Sequence, residues 1–376
     1  MGVPDRVRVM LLIKGLGLGG AERLLERAIP YLDRRQYDYR VGYLLPWKDA
    51  LVAPFEAAGI PVHCLDVRRV WDLGVLSRLV ALLRREQIDL IHAHLPVTGV
   101  LARLVKERAG VRHLVYTEHS LPSRHRLVTR MLNRTTYRMN DAVIAVSDAV
   151  AGQVQRHVRN GKPFLFTIPN AVDVEMFDQL PVDRDAVVRE FGFEPGTRIV
   201  IHVGNLRPVK GHRYLLAAAR RVVDREPSAR FLMVGVGPLA DALAGEARRL
   251  GLNGHVKFTG FRSDATTLIG AADLFVLSSL HEGIPVSLLE AMALARPAVL
   301  TRVGGIPEVV VPDETALLVE PRDVDGLAGG MLSLLRDPQR RARMGEAARR
   351  HVRQRYNMAQ MVAAVERVYE HVGALP

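Results

Sequence analysis

The stretch HEGIPVSLLEAMA, residues 281–293, carries Glu282 and Glu290, eight positions apart across Pro285. The apolar run DLFVLSS before it reads as a strand ending at Ser279, and Pro285 suits the first position of a helix. Glu282 then falls in the strand-to-helix loop and Glu290 more than a turn inside the helix, so both carboxylates can face one ligand. The amides of Gly283 and Ile284 at a helix start suit a phosphate, and a carboxylate, which only accepts hydrogen bonds, suits the paired hydroxyls of a ribose. A second loop, VGNLRPVKGHRYLL, sets Arg207 and Lys210 between a strand and a helix. Two cations there fit a diphosphate; surface charge on a loop is the plainer reading. A third loop, KGLGLGGAERLLERA, follows the first strand. Its Gly15, Gly17, Gly19 and Gly20 let the backbone approach a ligand, and a helix starting near Ala21 aims its N–H groups at a phosphate or a sugar. The spacing resembles a dinucleotide fingerprint, but that motif needs an acid ending the second strand, where VGYLLPW has none, and this argues against a nicotinamide cofactor.

Metal chemistry finds little support. The strings DRD at Asp183 and DVD at Asp323 stand before helical patterns, where Asp caps free N–H groups. His92 and His94 share one face of a strand, yet no third ligand stands nearby. A strand-end role near an acceptor is the reading for them. Cys64, the only cysteine, excludes an internal disulfide and is expected as a small buried hydrophobe.

The elements that would position these groups alternate from end to end. VRVMLLI, YRVGYLL, LIHAH, HLVYT, AVIAV and FLFTI read as buried parallel strands with helical spacing between them. A polar, proline-bearing stretch then interrupts, and RIVIHVG, RFLMVG, VKFTG, LFVLSS and PAVLT restart the pattern. The expected fold is α/β, two doubly wound Rossmann-like domains facing each other across a cleft, with the boundary at 182/183. A chain of 376 residues, 48% hydrophobic and 24% charged, supports two cores. No apolar run approaches the roughly 18 residues of a membrane span, and VRVMLLI before Lys14 is too short for a signal-peptide core. A cytoplasmic location is expected. The formal charge of +12 is spread over both halves without zinc spacing or a recognition helix, which argues against a nucleic-acid partner. One stretch is concentrated: Arg126, Arg130, Arg134 and Arg138 recur every fourth residue with no acid among them. This stripe is either a solvated helix face or a contact for an anionic acceptor or the inner membrane face.

The Glu282/Glu290 pair stands in an ordered set with GGAER, VGNLRPVKG, VGVGPL, FTGFRSD, AADLFVLSS, LLEAMA, RPAVLT and VGGIPEVV. Along nearly the whole chain this set resembles the retaining glycosyltransferases of family 4, which have the GT-B fold. The resemblance implies transfer of a hexosyl unit from a nucleoside diphosphate sugar, expected to be UDP-linked, to a glycan, lipid-linked or small-molecule acceptor. It implies that Glu290 binds the ribose, that Glu282 lies by the donor sugar, and that Lys210 neutralises the diphosphate. Asn205 stands where the family's arginine usually follows the glycine, and Arg207 supplies a guanidinium two residues on. Gly283, Ile284, Pro285 and Val286 flank the donor, and the base is expected against the backbone at Gly260, Phe261 and Arg262. His119, in YTEHS, is implied close to the transferred sugar. Gly17, Gly19 and Gly20 form a phosphate or acceptor loop, with His94 and Asn170 on the acceptor side. The last helix, within 358–376, resembles the segment that crosses back onto the first domain. No cofactor and no metal are expected, because Lys210, Arg207 and the helix amides can carry the leaving charge. A nucleotide-sugar 2-epimerase of the same fold, or a silent nucleotide-binding module, is the alternative.

Overall fold

The computed structural model of the protein describes residues 6–69, 72, 74–122, 127–157 and 162–374. The chain divides into two compact units, Met1–Ala171 with Met358–Pro376, and Val172–Asn357. The first is built on a seven-stranded parallel sheet. Its strands are β1 (Val7–Ile13), β2 (Tyr37–Tyr43), β3 (Val62–Cys64), β4 (Leu90–His94), β5 (His113–Glu118), β6 (Ala142–Ala145) and β7 (Phe164–Thr167), in the order β3-β2-β1-β4-β5-β6-β7. The second holds six: β8 (Arg198–Val203), β9 (Ala229–Val234), β10 (Val256–Gly260), β11 (Leu274–Leu277), β12 (Ala298–Thr301) and β13 (Leu317–Val319), ordered β10-β9-β8-β11-β12-β13. In each sheet the order reverses beside its first strand, the point where open α/β sheets bind ligands at the carboxyl ends of their strands.

Both sheets are covered on both faces, which is why their inner strands, such as β1, β6, β11 and β12, are buried and largely apolar, while β2 and β10 carry polar residues. In β1, Val9, Leu11 and Ile13 pack into one core and Met10 and Leu12 into the other. In the second unit, Ile199, Ile201, Phe275 and Leu277 face one layer, and Val200, Leu274 and Val276 the opposite one. The helix Met358–His371 belongs to the first unit: Val368 and Tyr369 join the core against β1, and the Tyr369 hydroxyl lies 2.6 Å from His92 Nδ1. Glu366 fastens the same helix, accepting from the Tyr39 hydroxyl at 2.7 Å and the Asp33 amide at 2.9 Å.

Three sequence expectations need correction. The unit boundary falls at 171/172 and not at 182/183, because Val172, Val174 and Phe177 are buried in the second unit's core and Val172 bridges to Asn357. The strands β3 and β13 escaped the periodicity; each has three residues and lies at a sheet edge. Cys64 is exposed, since it ends the edge strand β3. Of the arginine stripe, Arg126 lies outside the described residues. Among those described, no helix is long and apolar enough to cross a membrane.

Tyr369→Ala should cost the first unit about 3 to 5 kcal/mol, the usual range for emptying a buried aromatic site. Amide exchange followed by mass spectrometry should show faster exchange in β1 and β4, with β8 and β11 keeping their protection.

Candidate active site

In the second unit, three loops at the carboxyl ends of β8, β11 and β12 are held together by backbone approach. Gly211 has φ +65°, and a Cβ there would lie 2.0 Å from the Ser278 carbonyl oxygen. Gly304 has φ +54°, and a Cβ there would lie 1.8 Å from the Glu282 carbonyl oxygen. Only glycine combines that backbone conformation with that proximity. Further bonds close the assembly: the Leu280 amide donates to the Val209 carbonyl at 2.8 Å, and the Gly305 amide to the Gly283 carbonyl at 3.1 Å.

Lys210 and Glu282 meet within this frame. Lys210 Nζ donates to Glu282 Oε1 at 2.6 Å, and Ser279 Oγ donates to the same oxygen at 2.5 Å. Both side chains are largely buried, 18% exposed for the lysine and 10% for the glutamate. Strand β11 ends at Leu277, two residues before Ser279, and the helix runs Val286–Ala293 with Pro285 as its N-cap residue, so proline stands just outside the helix. Pro285 cannot donate there, but its carbonyl accepts the first helical bond, from the Leu288 amide at 3.1 Å. Ile284 turns its side chain into the core, Val286 opens the helix, and Glu290 is buried inside it.

The remaining donor-side residues divide by exposure. Asn205 and Arg207 are exposed, and Arg207 has no ion-pair partner among the described residues. Gly260, at φ +70°, precedes the exposed Phe261. The Arg262 guanidinium is occupied by its own unit: Nε and Nη2 donate to Asp264 at 2.7 Å, and Nη2 also reaches Glu190 at 3.1 Å. What Arg262 offers a ligand is therefore backbone.

Histidines 202 and 212, which the sequence reading passed over, lie beneath this loop with ring centroids 4.6 Å apart. His202 Nδ1 donates to the Val276 carbonyl at 3.0 Å, and burial pushes its pKa well below the ordinary range. Burial also lowers His212, to about 4, with Lys210 adding to the effect. Both rings are neutral at pH 7. Ser279 was missed as well; its position two residues past an apolar strand, three before Glu282, was the available signal.

In the first unit, the carboxyl ends of β4 and β5 bring His92, His94 and His119 together. His92 Nε2 lies 2.7 Å from Thr117 Oγ1, the His92 and His94 rings are 4.1 Å apart, and His94 Nδ1 lies 3.1 Å from His119 Nε2. Burial lowers the pKa of His92 to about 3 and of His119 to about 4, and His94 well below the ordinary range. A cavity of about 60 Å³ opens beside them, lined also by Leu24, Asn170, Val362 and Glu366. The glycine-rich loop is partly occupied by the protein itself. The helix begins at Gly20 with Gly19 as its cap, a Cβ on Gly19 would lie 2.3 Å from Glu22 Oε2, and one on Gly15 would meet Lys48 at 2.8 Å. Burial raises the Glu22 pKa, opposed by its own amide, Lys48 and Lys14. A Cβ on Gly17 would make only an ordinary contact with Lys48. An anion at this helix start would face a carboxylate, whereas a hydroxyl would find an acceptor.

Among the described residues no three His, Cys, Asp or Glu side chains group as ligands for a metal ion. Asp183 and Asp323 cap their helices, accepting from Ala186 N at 2.9 Å and Gly326 N at 2.8 Å.

Two doubly wound α/β units in one chain are the architecture of the GT-B class. The family model described as Glycosyltransferase Family 4 matches residues 18–176, and that described as Glycosyl transferases group 1 matches 183–351. The chain is 30% identical to the N-acetyl-alpha-D-glucosaminyl L-malate synthase of Bacillus anthracis over 80% of each chain. It is 25% identical to the UDP-Gal:alpha-D-GlcNAc-diphosphoundecaprenol alpha-1,3-galactosyltransferase of Escherichia coli, over 85% of this chain and 86% of that one. Anabaena Alr3699/HepE in complex with UDP-glucose superposes with a TM-score of 0.85 at 25% identity, covering 97% of this chain and 100% of that one. The protein belongs to glycosyltransferase family 4 and has the GT-B fold.

The buried histidines make stability depend on pH. Their folded pKa values lie below the unfolded value near 6.5, so below that pH the unfolded chain binds more protons and is favoured. Stability should therefore fall as pH drops from about 6.5 toward 4, the His119 value. In urea titrations at stepped pH, His119→Gln should flatten this slope by about 1.4 kcal/mol per pH unit, one proton's worth.

Proposed function

We propose that the second unit binds a nucleoside diphosphate sugar, UDP-linked, and that the enzyme transfers its hexosyl unit with retention and without a bound metal. The acceptor is a carbohydrate, lipid-linked or small molecule taken up by the first unit, in the cytoplasm. The observation that carries this reading is the buried Lys210–Glu282 pair in the loops after β8 and β11, with Glu290 buried about one turn inside the helix that follows Glu282. The UDP-glucose bound by the Anabaena relative and the UDP-Gal named for the Escherichia coli enzyme support the choice of nucleotide.

Each residue then has a task. Lys210 and Arg207 take the charge that develops on the leaving diphosphate, the main electrostatic demand of the step. Asn205 and the turn from Gly283 to Val286 flank the phosphates. Glu290 accepts both ribose hydroxyls, and the backbone of Gly260, Phe261 and Arg262 bounds the base. Glu282 has one oxygen committed to Lys210 and Ser279 and turns the other to a sugar hydroxyl. A covalent intermediate would need a free carboxylate against the anomeric carbon, and a carboxylate so engaged is a poor nucleophile. Attack on the face of departure follows. The acceptor oxygen bonds to the anomeric carbon as the bond to phosphate breaks, and the acceptor's proton passes to the departing diphosphate. His119 serves the sugar as a neutral hydrogen-bonding group, with His94 behind it and Gly17, Gly19, Gly20 and Asn170 on the acceptor side.

A thermal-shift panel of UDP, GDP and ADP tests the donor: ligand at about 100 times its Kd stabilises by roughly 2.7 kcal/mol. The anomeric configuration of the product, read by proton NMR, tests retention, and inversion would refute it. Donor epimerised and never transferred would favour the 2-epimerase reading.

Glu290→Ala should weaken nucleotide binding roughly 10- to 150-fold, the worth of about 1.5 to 3 kcal/mol for bonds to a charged group. Calorimetry on Glu290→Gln, which keeps the side-chain shape, separates this from misfolding: equal affinity in both variants and the wild type would remove Glu290 from the ribose site.

Lys210→Ala should lower turnover more than it lowers binding of the bare nucleoside. Excess EDTA should leave wild-type turnover largely intact; complete loss, restored by Mg²⁺ or Mn²⁺, would mean that a metal carries the diphosphate.

A further inference from the structure

The helix Leu127–Thr136 in the first unit is inside out. Its one buried residue is Asn133, which accepts from the buried Arg103 Nη1 at 2.6 Å; the turn that follows buries Tyr137, whose ring lies 4.8 Å from the same guanidinium. Its apolar residues point the other way: Leu127, Val128, Met131 and Leu132 are 62%, 55%, 61% and 44% exposed. A surface helix ordinarily turns such a stripe to the core. Along one flank of the stripe, Arg130, Arg134 and Arg138 enter a cavity of about 530 Å³ completed by Pro122, Gln153, Arg156 and His157. No carboxylate is among the described residues that line it. Burial first, and then Arg134, depress the His157 pKa, so the arginines carry the positive charge at neutral pH.

We infer that this face docks on an anionic membrane, the arginine cavity receiving the phosphate of a lipid headgroup while the apolar stripe enters the interface. The two halves of the feature select that occupant. A free phosphate or diphosphate would use the cavity but gives the stripe no role. A second copy of the chain would cover the stripe but bring four more arginines against these, in a protein already at +12. A lipid surface satisfies both at once, through headgroup charge and acyl-chain burial. The site is separate from the strand ends that hold the histidines, and it does not depend on the identity of the sugar donor.

Co-sedimentation with vesicles, without any nucleotide sugar present, tests this alone. The wild type should pellet with an equal mixture of phosphatidylcholine and phosphatidylglycerol, and not with phosphatidylcholine. The triple variant R134Q/R138Q/R156Q should bind roughly 100-fold more weakly, since each arginine at an anionic surface contributes about a fivefold factor. Leu127→Ser with Met131→Ser should lose at least about 10-fold while keeping the salt dependence of the remainder. Unchanged melting temperature and circular dichroism certify that the variants fold. Wild type that stays in the supernatant, or a triple variant that pellets like the wild type, overturns the inference. So does a thermal shift with inorganic pyrophosphate in a protein that vesicles do not retain, which would leave a soluble anion as the ligand. Self-association that disappears in the serine variant, without vesicle binding, would assign the stripe to a second copy.

Discussion

One ion pair organises the second unit's loops. Lys210 comes from the loop after β8 and Glu282 from the loop after β11, so their 2.6 Å contact fixes two strand ends against each other. Burial makes this a demanding arrangement: removing one partner of such a pair typically costs about 3 to 5 kcal/mol, because the other charge is left without compensation. The loops accordingly close around it, through Gly211 against Ser278, Gly304 against Glu282, and Ser279 as a second donor to the shared oxygen. Arg207, exposed and without an ion-pair partner among the described residues, lacks that leverage. Exposed pairs are worth about 0 to 1 kcal/mol, so Arg207 can add charge to a bound phosphate but cannot set the geometry. Under the proposed reading, a diphosphate at this loop would compete with Glu282 for Lys210, and Ser279 would keep the released carboxylate oxygen satisfied. The pair thus holds the lysine in place at the end of β8.

The first unit solves a different problem. Its strand ends carry His92, His94 and His119, and burial keeps all three neutral. A neutral imidazole has one donor and one acceptor nitrogen, which suits hydroxyl groups and brings no charge to an anion. Glu22, leaning over Gly19, points the same way: the glycine-rich helix start, which in isolation suits phosphate, is answered by the protein's own carboxylate. The two units therefore differ in charge at their strand ends, a buried ion pair at Lys210 and neutral rings at the histidines, which is the division the proposed function uses.

What the sequence made legible follows from where the relevant physics is local. Long buried strands such as β1, β4 and β8 are continuous apolar runs, and Asp183 and Asp323 cap the helices that follow them, as their positions before helical patterns required. The Glu282/Glu290 spacing across Pro285 places both residues in one loop-and-helix unit whichever side of the helix boundary the proline takes. What stayed hidden depends on partners far along the chain. The three-residue strands β3 and β13 exist only because β2 and β12 offer an edge, and Cys64 is exposed because its strand is that edge. Val172 to Phe177 read as linker because they open a longer polar, proline-bearing stretch, yet the core they enter is assembled from Phe275, Leu288 and Tyr356. The Lys210–Glu282 contact spans 72 residues, and no periodicity encodes it. The resemblance to family 4 named both residues without implying that they bind each other.

The arginine stripe shows the same division from the other side. Its spacing was visible in the sequence, but spacing alone fits a solvated helix face equally well. What the structure adds is the orientation of everything between the arginines. Asn133 is buried because Arg103 needs a neutral acceptor inside the protein, and that bond fixes the helix's rotation about its own axis. Once Asn133 faces inward, the periodicity of the helix forces Leu127, Val128, Met131 and Leu132 outward. The exposed apolar stripe is therefore held in place by a buried hydrogen bond and is not a failure of packing. Rotating the helix to hide it would expose Asn133 and take an acceptor from the buried Arg103 guanidinium, whose Nη2 already has no partner among the described residues, so the buried polar contact and the burial of the stripe compete for one rotation of the helix.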